Sequence, residues 1–257
     1  MKRTLLLVGA VVLVLVLLAA AAIASAFIGR KEVTDGTDVR GIRIVKDGIV
    51  SAAVVPVGPR QVALIDAGND TEGTAVLAEL QRRGLTPDAV VAVLLTHGHA
   101  DHTGAIRKLP NAQVMALEAE VPLVEGRVGA RGPLLRLMPV SPTGITVSRA
   151  LHDGDTLTIG EATVRVFATP GHTQGSASYL VNGALFVGDS ADADSEGTLQ
   201  GAPWIFSDSQ SQNHESLIRL DERLHTENLP VSAIVPAHSG VMTDGLTQLD
   251  RFARSAR

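Results

Sequence analysis

The first and longest apolar run, residues 5–24, is followed by no charge until Arg30. As a helix rising 1.5 Å per residue, roughly 20 apolar residues span about 30 Å, the thickness of a bilayer core. The run is apolar all round and lacks the stripe of a helix packed on a core. It therefore predicts a transmembrane or signal helix within residues 1–29, meeting a membrane through residues 5–28. Its length favours a retained anchor, while Ala24-Ser25-Ala26 offers a small-x-small cleavage site for a secreted alternative. Lys2 and Arg3 favour an N-terminus kept inside, which puts the following domain, anchored or secreted, outside the cytoplasm. Residues 30–38, with Thr34-Asp35-Gly36-Thr37, read as a polar linker. A soluble domain is expected over residues 39–257.

Beyond residue 39 the pattern turns to short alternations between turn signals. Strands are predicted at 42–45, 51–57 and 61–65, and a helix at 71–83 with an apolar face of Val76, Leu77 and Leu80, stopped by Gly84. Residues 89–95 are β-branched and apolar throughout, the mark of a strand buried on both faces. A short helix at 104–109, a strand at 113–117 and a second helix at 118–124 follow. Residues 126–144 are rich in Gly, Pro and Arg and predict an irregular loop, of a length often used as a lid or substrate wall. Arg127, Arg131 and Arg136 sit in it. Hairpins are predicted at 156–168 and 178–187, the second about Asn182-Gly183. A helix at 207–227 capped by Asp208 or Ser209, a strand at 231–235 and a helix at 245–253 complete the chain. Short strands in two runs, each followed by helices, define a mixed α/β (α+β) class.

Composition narrows the chemistry. The chain has no cysteine, which excludes disulfides, a cysteine nucleophile, a Cys-ligated zinc site and a lipoprotein anchor. The net charge of −5 and an aromatic content of 3% leave neither a basic patch nor a stacking surface for nucleic acid.

Candidate chemistry concentrates where the buried strand ends, in Thr96-His97-Gly98-His99-Ala100-Asp101-His102. His97 and His99 would share a side of a continued strand, and imidazole with carboxylate suits Zn²⁺, Fe or Mn²⁺. Three of the eight histidines fall in this heptad. Three later turns carry similar residues: Gly171-His172-Thr173, Gly188-Asp189-Ser190 and Ala237-His238-Ser239. His152, His214 and His225 read instead as surface or structural residues.

The Thr-His-x-His-x-Asp-His motif after an apolar strand, with these three turns in order, resembles the metallo-β-lactamase fold hydrolases. The resemblance covers residues 39–257. It implies a four-layer αββα sandwich, two sheets face to face with helices outside. It also implies a two-metal centre, two Zn²⁺ with Fe or Mn as alternatives. His97, His99 and His172 would bind one ion, Asp101, His102 and His238 the other, and Asp189 would bridge. Asp66 in Ile65-Asp66-Ala67-Gly68 would orient the metal-binding loop. The implied reaction is attack of a metal-bound hydroxide on a carbonyl or phosphoester substrate, with Asp101 passing a proton to the leaving group. The partner is a small molecule; its identity and the oligomeric state are not legible. The family's quorum-signal lactonases place a tyrosine after the bridging aspartate, where this chain has Ser190-Ala191-Asp192-Ala193, and Tyr179 lies before it. Its glutathione thioesterases carry a C-terminal helical domain, for which the residues after His238 are too few. Two other readings are a mononuclear iron oxygenase of sulfur species and a non-catalytic, membrane-tethered metal-binding or sensor module.

Overall fold

The computed structural model describes residues 2–255. Seven strands, β1 (Asp38–Val39), β2 (Ile42–Asp47), β3 (Val50–Gly58), β4 (Gln61–Ile65), β5 (Val90–Leu94), β6 (Gln113–Leu117) and β7 (Arg149–Leu151), pair in chain order into one sheet. Pairing is antiparallel as far as β4 and parallel from β4 to β7. The second sheet takes β8 (Thr156–Ile159), β9 (Ala162–Ala168), β10 (Ala177–Val181) and β11 (Ala184–Gly188), then a two-stranded ribbon, β12 (Ala191–Ala193) and β13 (Leu199–Gly201), intervenes before β14 (Ala233–Pro236). β14 joins the edge of the second sheet beside β11, in parallel. Among the described residues, five α-helices accompany them: α1 (Lys2–Ser25), α2 (Thr74–Arg82), α3 (Val121–Val124), α4 (Gln210–Thr226) and α5 (Thr247–Ser255).

Alternation along the strands separates three apolar layers. Ile44, Ala53, Val55, Ile65 and Leu94 of the first sheet meet Val164, Val166, Tyr179, Val181 and Phe186 of the second in a common core. The opposite face of the first sheet, with Val54, Leu64 and Val93, packs on Val76 and Leu80 of α2. The opposite face of the second sheet, with Leu180, Leu185 and Ile234, packs on Leu217, Leu220 and Leu224 of α4 and Leu249 and Phe252 of α5. Two sheets thus lie face to face with helices outside, as the sequence implies.

Element ends follow local chemistry. Ser209 caps α4, its hydroxyl accepting from the Gln212 amide at 3.3 Å. The helix expected at 104–109 is a 3₁₀ turn, Gly104–Lys108. The one expected at 118–124 opens as a 3₁₀ turn, Glu118–Glu120, before α3. Residues 126–144 hold a three-residue turn, Leu135–Leu137, within an irregular loop.

The N-terminal helix forms as α1. The membrane crossing expected of residues 1–29 falls partly on side chains outside the described residues. Among the described residues no helix is long and apolar enough to cross a membrane, so the anchor finds no support. The segment after α1 is stitched to the sandwich. The Lys31 amide donates to the Ala193 carbonyl, the Gly240 amide donates to the Lys31 carbonyl, and Val33 is buried in the common core.

Candidate metal centre

Strand direction gathers the candidate residues. β4 and β5 run parallel, as do β11 and β14, so within each sheet two C-terminal strand ends lie side by side. Backbone bonds join the two sheets at this edge. The Ala177 amide donates to the Thr96 carbonyl at 2.8 Å, and Ser51 donates to the Ala237 carbonyl at 2.9 Å. Asp66, just past β4, has φ 56°, and Gly188, ending β11, has φ 53°. A Cβ at Gly188 would lie 2.5 Å from Thr96 Oγ1, so no larger residue fits between the two loops.

The imidazoles are oriented from behind. His97 Nδ1 lies 3.2 Å from Thr96 Oγ1, and His102 Nδ1 lies 2.8 Å from Asp66 Oδ2. His172 Nδ1 lies 3.1 Å from Ser207 Oγ, and His238 Nδ1 lies 2.7 Å from the Ile49 carbonyl. The Asp66 carboxylate and the Ile49 carbonyl can only accept. Thr96 Oγ1 gives its proton to Asp66 Oδ2, and Ser207 Oγ gives its proton to the Pro203 carbonyl, so both oxygens accept from the rings. In the neutral form all four rings therefore carry the proton on Nδ1 and turn Nε2 inward as the nitrogen that can take a cation. His99 is reversed: its Nδ1 stands 3.0 Å from both His97 Nε2 and His172 Nε2.

These donors form two sets. The first is His97, His99 and His172; the second is Asp101, His102 and His238, the ligand atoms of each lying within 4.8 Å of one another. Asp189 stands between them. Its Oδ1 is 3.3 Å from His102 Nε2, and its Oδ2 is 3.1 Å from His238 Nε2 and 3.5 Å from His172 Nε2. Asp101 Oδ2 is 3.3 Å from His238 Nε2. All seven predicted ligands thus meet in one place. They also fit a metal. Nitrogens about 2.0–2.1 Å from a tetrahedral Zn²⁺ lie about 3.4 Å apart, close to the spacing of the three-histidine set. His102 Nε2 and Asp189 Oδ1 are buried and without a hydrogen-bond partner.

Electrostatics divides the sets. Burial, reinforced by neighbouring imidazoles, holds His97 well below the ordinary value. Burial likewise takes His99 to about 4 and His172 to about 3, against the pull of nearby aspartates. These rings are neutral ligands at physiological pH. In the second set burial opposes charge on His238, but Asp189 and Asp101 outweigh it and raise the ring to about 10. Burial works to raise Asp101, yet His102 and His238 bring it down to about 2. Positive charge is therefore favoured where the carboxylates are, and a divalent cation can supply it in place of protons.

Asp66 lies behind the His102 ring. Its Oδ1 accepts from the Thr96 amide at 2.8 Å, and its Oδ2 serves both Thr96 Oγ1 and His102. Glu120 is a supporting residue the sequence did not reveal. Its buried carboxylate accepts from the Gly98 amide at 2.7 Å, the Gly175 amide at 2.8 Å and Thr173 Oγ1 at 2.9 Å, tying the loop of His97 and His99 to that of His172. Burial pushes this carboxyl up to about 7 despite those donors. No sequence signal marks it beyond a charged residue opening a short helix. His152 is exposed, His214 packs edge-on against Phe252 and His225 bonds Asp250, as read from the sequence. Among the described residues, Arg127, Arg131 and Arg136 do not line the cavity over the centre.

Comparison with known proteins places these observations. The metallo-β-lactamase superfamily model matches residues 45–238. A hydroxyacylglutathione hydrolase of Synechococcus sp. is 34% identical over 172 residues, covering 62% of this chain and 57% of that protein. One of Photobacterium profundum is 30% identical over 161 residues, covering 61% and 50%. The chain thus spans about half the length of the curated relatives it matches. Among solved structures, a subclass B3 metallo-β-lactamase of Bradyrhizobium japonicum superposes with a TM-score of 0.63 at 19% identity, covering 90% of this chain and 94% of that one. At that identity the likeness is one of fold.

Proposed function

The chain belongs to the metallo-β-lactamase superfamily, and from that premise we propose that it is a metal-dependent hydrolase of a small carbonyl or phosphoester substrate, working with two divalent ions, zinc first among them. The observation that carries this reading is Asp189, whose carboxylate lies within 3.5 Å of histidines from both ligand sets. Both sets are complete, as a two-ion centre requires. The hydrolase names of the curated relatives support the same class of reaction.

When bound, such ions make water a nucleophile at neutral pH and stabilise the oxyanion that develops on the substrate. His97, His99 and His172, neutral and locked by burial, would hold one ion. Asp101, His102 and His238 would hold the other, with Asp189 within reach of both sets. Asp66 and Thr96 take the Nδ1 side of His102 and His97, so that Nε2 is the nitrogen each ring would offer a metal. The Asp101 side chain is 26% exposed at the cavity wall and is the carboxylate placed to carry a proton to the leaving group.

Elemental analysis of the purified full chain, with turnover of activated esters, thioesters and phosphodiesters before and after chelation, tests the proposal. About two zinc per chain and chelator-sensitive hydrolysis are expected. One iron per chain with oxygen uptake and no hydrolysis would overturn it.

A further inference from the structure

Building on the hydrolytic reading, we infer that the substrate is an ester or thioester bearing an uncharged, apolar acyl chain. A cavity of about 510 Å³ lies over the metal centre, with His99, Asp101, Asp189 and His238 in its floor. Its walls are mostly carbon. Leu135, Met138 and Val140 come from the loop 126–144, Leu123 from α3, Phe206 from the segment before α4 and Phe27 from the segment after α1. The Phe27 ring packs 5.9 Å from that of Phe206 and 6.1 Å, edge-on, from His238, so this wall reaches the metal ligands. Met138 and Val140 are 64% and 56% exposed. An apolar chain laid along them would remove that surface from water, and a polar one would not.

Charge points the same way. Arg30 is the one arginine or lysine of the cavity wall among the described residues; its Nη2 pairs with Asp192 at 2.8 Å, while its Nη1 is buried without a hydrogen-bond partner. Arg127, on the loop that supplies most of the wall, pairs with Glu125 at 2.9 Å. A substrate rich in carboxylates, such as a glutathione conjugate, meets a single arginine in this wall, and that one is already ion-paired. A hydrocarbon chain needs none.

The test uses the zinc-loaded full chain and p-nitrophenyl esters from acetate to decanoate. Each methylene buried against the wall should raise kcat/KM about fourfold, the equivalent of about 0.8 kcal/mol. Val140→Asp and, separately, Met138→Asp should each lower the octanoate-to-acetate ratio about tenfold; both side chains are exposed, so folding tolerates the change. As a readout without catalysis, decanol should displace the neutral dye Nile red from the wild type and less readily from the variants. A flat ester series without displacement overturns the inference and leaves the hydrolytic reading intact. Decanol displacement with no ester turned over also overturns the inference, and leaves a phosphoester substrate as the remaining form of the hydrolytic reading. Faster turnover of a hydroxyacylglutathione than of the octanoyl ester overturns the inference.

Discussion

Asp66→Asn replaces one oxygen of the network behind the centre with an NH₂ group. The change keeps size and shape, and asparagine is at home at φ 56°. If the amide oxygen continues to serve the Thr96 N–H, the NH₂ group faces His102 Nδ1, now 2.8 Å from a carboxylate oxygen. Two donors cannot bond, so His102 must move its proton to Nε2, where the metal needs a lone pair. Loss of a buried bond to a charged group is worth about 1.5–3 kcal/mol. For a domain of this size that lowers Tm by roughly 3–12 °C. Loss of the partner that orients a metal-bound histidine weakens the metal about 10–100-fold. The deficit should fall on the ion held by Asp101, His102 and His238. The three-histidine set feels Asp66 only through the Thr96 hydroxyl and should change less. Titration of the apo-protein with zinc against a chromophoric chelator resolves the two affinities, and circular dichroism gives the melt. Two unchanged zinc affinities in a variant melting within about 2 °C of the wild type would show that Asp66 does not orient His102.

Other perturbations reach other parts of the argument. Asp189→Ala removes the carboxylate between the two sets and should lower bound zinc from two towards one per chain and hydrolysis by about a hundredfold or more, by elemental analysis and steady-state kinetics; two zinc and full activity would refute the two-ion reading. Glu120, raised by burial from an ordinary 4.5 to about 7, binds its proton more tightly folded than unfolded. Its contribution to stability is therefore complete below about pH 4.5 and lost as pH rises to 7, a fall of up to about 3 kcal/mol relative to Glu120→Gln, which cannot titrate. Denaturant melts of the two proteins at pH 5, 6, 7 and 8 should converge accordingly, and parallel profiles would disprove it. Tyr179→Phe removes a buried hydroxyl that donates to the Leu95 carbonyl at 2.7 Å and should cost about 1–3 kcal/mol of stability without touching zinc content or turnover; lost turnover in a folded variant would return the hydroxyl to the active site.

Much of this centre was legible because metal ligands must leave the ends of strands, and strand ends in this chain are marked by glycine and proline. Gly98, Gly171 and Gly188 stand beside His97, His172 and Asp189, so residue type and turn chemistry agreed at each. The layered fold was legible for a similar reason: period-two runs and short turns leave few architectures. What escaped reading depends on approach in space. Glu120 reaches Gly98 and Gly175 only once α3 and the β9–β10 loop are packed, and the Arg30–Asp192 pair joins distant segments. The loop 126–144 was legible as irregular and of a length used for lids or walls, but its arginines drew attention by charge while Leu135, Met138 and Val140 line the cavity. A sequence shows which residues a loop contains; backbone path decides which of them turn inward.

The ligands run from His97 to His238 and come from both sheets, which sets when metal can take part in folding. The donor atoms meet only after β14 has joined β11 and the two sheets have closed on their common core. Metal therefore cannot nucleate this chain as it does a small zinc-dependent module. Bound metal would act late, as a latch on a sandwich already formed. Interactions made after the rate-limiting step slow unfolding and leave refolding untouched. Stopped-flow refolding with and without zinc should give one rate, while zinc at a hundred times its dissociation constant adds about 2.7 kcal/mol through slower unfolding. The supply of metal then governs how long each folded molecule lasts, not how quickly it is made.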